Sequence, residues 1–192
     1  MSINRNDFKV SMVSLGCSKN LVDAERMLSI LKNAGYQVIK DQKDSDVIIV
    51  NTCGFIESAI SEAIDTILQV SDYKKPNGVV EHIVVCGCMA QRFGEDILSQ
   101  MPEVDIVLGT SHYQDIKDAV LSLYENADYK KLYISKAGSL EHLRGDRVIS
   151  TPSYAWLKIG EGCRNCCSFC AIPLIRGGFI SRPLKDIFEE KI

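Results

Sequence analysis

Residues Asp46–Val70 read "DVIIVNTCGFIESAISEAIDTILQV", and this stretch decides the fold. Asp46–Val50, "DVIIV", is apolar on both faces, as a strand is when helices cover it on each side. The turn "NTCGF" follows. From Ile56 to Val70, residues Ile56, Ala59, Ile60, Ala63, Ile64, Ile67 and Leu68 form one helical stripe, while Glu57, Glu62, Asp65 and Gln69 point away from it. A buried strand, a tight turn and an amphipathic helix make one β–α step.

The step repeats along the chain. "FKVSMVSL" at Phe8–Leu15 reads as an earlier strand. Leu21–Ala34 reads as a helix with Leu21, Ala24, Leu28, Leu31 and Ala34 on one face and Gly35 to end it. "YQVI" at residues 36–39 is a short second strand. "HIVVCG" at 82–87 and "VDIVLG" at 104–109 are two more, separated by a helix around Phe93–Met101. Ser111 opens a last helix, with Gln114 three residues on in a capping-box pattern. The order βαββαβαβα implies an α/β fold with a five-stranded parallel sheet covered by helices on both sides.

Residues 127–152 show no sustained period and read as a linker. A second unit then starts near Ser153 with the strand "YAWLKIG" at Tyr154–Gly160. The expected division is therefore residues 1–126, a linker at 127–152, and an incomplete second unit at 153–192.

Composition narrows the function. The chain is 46% hydrophobic and 24% charged, as ordinary globular proteins are. A net charge of −3 exerts no overall pull toward nucleic acid. No apolar run approaches the roughly 18 residues of a membrane span, and the polar start carries no secretory signal, so the expected setting is the cytoplasm. Thiols are kept reduced there, so the eight cysteines point to metal binding or catalysis rather than disulfides.

Cys17, Cys53 and Cys88 each follow a strand, at the carboxyl ends where parallel sheets gather their ligand sites. Each has a glycine beside it: Gly16, Gly54 or Gly87. Three convergent thiolates suit an iron–sulfur cluster with one open iron, or zinc with a fourth ligand. His82, His112 and His142 are not placed beside them, which favours iron–sulfur. Cys163, Cys167 and Cys170, in "GCRNCCSFC", form a C-x3-C-x2-C loop after a strand. That spacing reaches three corners of one [4Fe–4S] cube and leaves the fourth iron for a small chelator such as S-adenosylmethionine. A zinc site of Cys163, Cys166 and Cys170 is the alternative. Cys166 is expected to be a bystander, and Cys86 to turn to the opposite side of its strand from Cys88. Asn20 either supports the Cys17 loop or caps a helix, and Asn51 holds its own loop by side-chain hydrogen bonds. Arg176 either touches cofactor or substrate, or is a solvated loop arginine.

Six cysteines in this order, in "GCSKN", "NTCGF", "GCMAQR" and "GCRNCCSFC", resemble the radical-SAM methylthiotransferases. Within them, "GCSKNLVDAE", "NTCGFIESA" and "PEVDIVLGT" are similar to the branch that modifies an aspartate of a ribosomal protein. The resemblance implies an N-terminal methylthiotransferase domain with an auxiliary [4Fe–4S] cluster on Cys17, Cys53 and Cys88. It implies a second [4Fe–4S] cluster on Cys163, Cys167 and Cys170, at the start of a partial β/α barrel. It further implies a methylthio group added to the β-carbon of an aspartate in the twelfth small-subunit ribosomal protein. One S-adenosylmethionine methylates a sulfur at the auxiliary cluster, and another yields the radical that removes hydrogen from that carbon. A flavodoxin- or ferredoxin-like protein would donate electrons. Family members continue well beyond this length with the rest of the barrel and an RNA-binding-type domain, so the expectation is a truncated form with nucleic-acid contact confined to the missing part. The alternatives are the tRNA-adenosine branch, or a non-catalytic iron–sulfur or zinc-binding module.

Overall fold

A computed structural model describes residues 8–74, 76, 78–125 and 128–190. The expected outer limits at residues 1 and 192, and the boundary at 126 and 127, fall outside the described residues. Six strands form one parallel sheet: β1 (Lys9–Ser14), β2 (Gln37–Val38), β3 (Val47–Thr52), β4 (His82–Gly87), β5 (Ile106–Leu108) and β6 (Leu132–Tyr133). Their order is β2-β1-β3-β4-β5-β6. The expected sheet of five is therefore one strand short. Leu132–Tyr133 lies in the presumed linker and pairs with Val107 and Leu108. A two-residue strand is too short for any period to show.

Helices cover both faces, which is why Val47, Ile48, Ile49 and Val50 all have no exposed surface. Val47 and Ile49 face α1 (Ser18–Asn33) and α4 (Ile116–Glu125), packing with Met27, Leu31 and Val120. Ile48 and Val50 face α2 (Glu57–Ser71) and α3 (Cys88–Gln100), packing with Ala63, Ile67 and Ile97. Each such side chain contributes about 1.5–3 kcal/mol through burial.

Several helices differ from expectation. The α2 stripe is only partly used: Ala63 and Ile67 are buried, whereas Ile64 and Leu68 stay exposed. With Met89, Phe93 and Ile97 they line an apolar groove of about 410 Å³. Helix α3 starts at Cys88, not near Phe93, because the chain turns into helix straight after β4 and bends at Phe93 (φ −130°, ψ 26°). Ser111 does not cap α4. Its Oγ donates to the Lys136 carbonyl, and a 3-10 turn at Tyr113–Asp115 precedes the helix. Helix α1 buries far more than one face, Asp23, Glu25 and Arg26 included, because residues 141–150 run across its other side.

The segment after residue 153 holds a two-stranded antiparallel sheet of β7 (Gly160–Glu161) and β8 (Ile180–Ser181), with short helices α5 (Ile172–Arg176) and α6 (Leu184–Phe188). The expected strand at 154–160 shrinks to its last residue plus Glu161. Strand structure needs a ladder partner, and the one present, Ile180–Ser181, reaches only Gly160 and Glu161. Tyr154, Trp156 and Ile159 are left exposed.

Candidate metal centre

The strand order reverses between β1 and β3, so a crevice opens at their carboxyl ends. Cys17 sits there, immediately before α1, as its N-cap residue. Cys53 follows β3, and Cys88 is the first residue of α3 after β4. Cys17 is exposed, Cys53 is half-buried and Cys88 is buried. Two glycines let these loops close up. Gly16 has φ +88°, and a Cβ there would lie 2.7 Å from the Cys53 Cβ and 3.2 Å from its Sγ. A Cβ at Gly54 would lie 2.6 Å from the backbone of Met89, next to Cys88.

Asn20 is the hub of the three loops. It has no exposed surface and lies in the first turn of α1. Its Nδ2 donates to the Leu15 carbonyl at 3.1 Å and to the Thr52 carbonyl at 2.9 Å. Its Oδ1 accepts from the Cys88 thiol at 3.5 Å and from the Arg176 guanidinium. Asn51 adds a bond from its Nδ2 to the Asn20 carbonyl at 2.8 Å. Asn20 therefore supports the cysteine loops and is not the helix cap.

Cys86 differs from Cys88 in depth, not in face. It stands two residues before Cys88, and both sulfurs face α1: Cys86 meets the Met27 Sδ at 3.9 Å, and Cys88 meets Asn20. The expectation that Cys86 turns away from Cys88 was mistaken, since residues two apart along a strand share a side. Cys86 is wholly buried, and burial pushes its thiol pKa up strongly.

Cys163, Cys167 and Cys170 lie in the loop between β7 and α5, where residues 164–169 are all exposed. The Cys163 amide donates to the Gly177 carbonyl at 3.1 Å, and the Cys170 amide to the Cys167 carbonyl at 3.1 Å. Cys166 is exposed in the same loop.

The two cysteine-bearing regions meet through buried charge that the sequence did not reveal. Asp23 accepts from Lys158 Nζ at 2.6 Å, from Arg176 Nη1 at 2.6 Å and from the His142 ring at 2.8 Å. Burial would raise the Asp23 pKa, but Lys158 and Arg176 outweigh it and hold the carboxyl well below its usual range. Glu161 pairs with Lys158 and with Arg176, and burial is again outweighed by those cations. Lys19, two residues after Cys17, pairs at 3.2 Å with Glu161, two residues before Cys163. Arg176 is only 3% exposed, so the solvated-loop reading fails. Its Nη2 donates to the Cys88 Sγ at 3.2 Å. Burial raises the Cys88 pKa, and Arg176 opposes that rise. Polar residues inside apolar-looking runs, Asp23 in α1 and Lys158 in "YAWLKIG", were the available signal.

Among the described residues, no three His, Cys, Asp or Glu side chains are disposed as a metal-binding group. What converges is the three loops. Their donor set is soft thiol sulfur, Gly16 leaves the Cys53 sulfur uncovered, and a guanidinium points at the Cys88 sulfur. This chemistry fits an iron–sulfur cluster held by three cysteines.

A six-stranded parallel sheet with three cysteine loops at its switch-point edge defines a doubly wound α/β domain with a thiol-lined ligand end. The chain belongs to the family described as Uncharacterized protein family UPF0004, whose model matches residues 9–109. It is 47% identical over 188 residues to the ribosomal protein uS12 methylthiotransferase RimO of Acetivibrio thermocellus, a match covering 95% of this chain and 41% of that protein. It is 49% identical over 183 residues to the protein of the same name from Clostridioides difficile, covering 95% and 40%. The chain thus spans about two fifths of the length of the curated relatives it matches. Among the described residues, no helix is long and apolar enough to cross a membrane.

Proposed function

We propose that this chain carries part of the machinery of a methylthiotransferase that modifies an aspartate of ribosomal protein uS12. One observation carries the reading: the Cys17, Cys53 and Cys88 loops gather around Asn20 at the carboxyl ends of adjacent strands. Similarity over 95% of the chain to proteins named for that activity supports it.

On this reading Cys17, Cys53 and Cys88 hold one [4Fe–4S] cluster, and Cys163, Cys167 and Cys170 hold a second at the start of a radical-SAM barrel. When bound, these groups supply one-electron reduction of S-adenosylmethionine and the sulfur to be transferred. The substrate carbon bears no acidic hydrogen, so no side chain is assigned as general base. The protein's own residues hold and orient. Asn20 fixes the three loops, and Asp23 gathers Lys158, Arg176 and His142. The Lys19–Glu161 pair holds the second cysteine loop beside the first. We assign residues 1–126 to the first unit, 127–152 to the linker and 153–192 to the second.

Replacing Cys53 by Ala in the host's own gene tests the activity. Mass spectrometry of the twelfth small-subunit ribosomal protein should then show the aspartate without its methylthio group. Retention of the group would overturn the assignment. So would an unmodified aspartate in the wild type, with a methylthio adenosine missing from tRNA of the Cys53→Ala strain.

A further inference from the structure

Arg176 comes from the far side of the second cysteine loop, yet its guanidinium ends among residues of the first cysteine group. The fork is divided. Nη1 is held by Asp23 at 2.6 Å and Glu161 at 3.1 Å, while Nη2 reaches the Asn20 Oδ1 and, at 3.2 Å, the Cys88 Sγ. Asp23 and Glu161 are shared with Lys158 and Lys19, so three cations meet two carboxylates. Nη1 takes both of the carboxylate contacts that Arg176 makes, and the Nη2 arm is left directed at the Asn20 oxygen and the Cys88 sulfur. Arg176 is buried with Asp23 and Asn20 around it, so the contact is a fixed one. In the thiol state, the Cys88 S–H donates to Asn20 and its sulfur accepts from Arg176. Once the sulfur is a ligand the S–H bond is gone, and Arg176 remains as its donor.

We propose that Arg176 is a positioning residue for the Cys17/Cys53/Cys88 group: its Nη2–H donates to the Cys88 sulfur and tunes the cluster held there, and does not contact S-adenosylmethionine at the second cysteine loop. The same contact makes the first group sensitive to the docking of the segment that carries Cys163, Cys167 and Cys170. This rests on reading Cys17, Cys53 and Cys88 as cluster ligands. A hydrogen bond to a ligand sulfur stabilises the more negative, reduced cluster and raises its reduction potential. Arg176→Lys keeps a cation for Asp23 and Glu161 but, lacking the planar fork, loses the second arm. Arg176→Met removes every donor.

The test uses the chain with Cys163→Ala, Cys167→Ala and Cys170→Ala, so that one cluster contributes. It is reconstituted without oxygen using iron and sulfide, then titrated reductively by electron paramagnetic resonance. With Arg176→Lys added, iron per chain and the thermal transition should match the parent. Reduction should become about tenfold less favourable, about 59 mV lower for one electron. Arg176→Met should shift at least as far. If it fails to fold, Arg176→Lys decides alone. An unchanged potential and unchanged spectrum in folded, iron-loaded Arg176→Lys would overturn the proposal while leaving the cluster reading intact. A parent chain that takes up no iron would instead overturn the cluster reading, and this proposal with it.

Discussion

Asn20 concentrates the largest share of local structure in one side chain. Its amide donates to carbonyls of the two loops that carry Cys17 and Cys53, and its oxygen faces Cys88 and Arg176. Asn20→Ala leaves the buried Thr52 carbonyl and the part-buried Leu15 carbonyl without those donors, at a cost of about 1–3 kcal/mol. Urea unfolding should show that loss, and a change below about 0.5 kcal/mol would mean the loops hold without it. The cysteines themselves were legible from sequence, because their strand-end positions follow from alternating apolar runs and short turns. Asn20 was half legible: an asparagine three residues after a strand-end cysteine marks either a cap or a loop support, and only the fold decides. Arg176 was misjudged in one of its two readings. A lone "IRGG" arginine carries no sign that it reaches a buried carboxylate, Asp23, 153 residues back along the chain.

At the scale of elements, the segment 141–150 lies across α1 as a strap. Arg26 donates to the carbonyls of Leu143 at 2.6 Å and Asp146 at 2.7 Å, and Glu25 accepts from the Ser150 amide at 2.8 Å. The strap explains why α1 is buried on more faces than its apolar stripe predicts. Charged residues mark a solvated face unless another segment brings partners to them, and those partners lie more than a hundred residues away. Strand β6 escaped notice because two residues give no pattern. His142, in the strap, is held below its ordinary pKa of 6.5 by burial, which outweighs the bond to Asp23. The neutral ring donates Nε2–H to the Asp23 carboxylate, which only accepts when ionised. A folded pKa below the unfolded one means the folded state binds fewer protons. The contribution of His142 is therefore complete above pH 6.5 and is lost as pH falls through the lower folded value. Asp23, also depressed, adds a second loss only below its ordinary value of 3.8. Urea unfolding should therefore show stability falling as pH drops below 6.5, by at most about 1.4 kcal/mol per pH unit for this one proton. His142→Gln should flatten that slope. An equal slope in the variant would place the titration elsewhere.

At the scale of the whole molecule, the sheet gathers one set of thiols at its carboxyl edge and the following segment carries the other set on an exposed loop. Ion pairs join the two: Asp23 with Lys158 and Arg176, both buried, and Glu161 with the half-exposed Lys19. The central claim is that these are two separate three-cysteine cluster sites. Counting iron and zinc per chain after oxygen-free reconstitution with iron and sulfide tests it most directly. Two sites predict about eight irons, at four per cluster. Cys17→Ala, Cys53→Ala or Cys88→Ala should each remove about half, whereas Cys86→Ala and Cys166→Ala should leave the count unchanged. One zinc with no iron, or loss of all iron from a single substitution, would contradict the account.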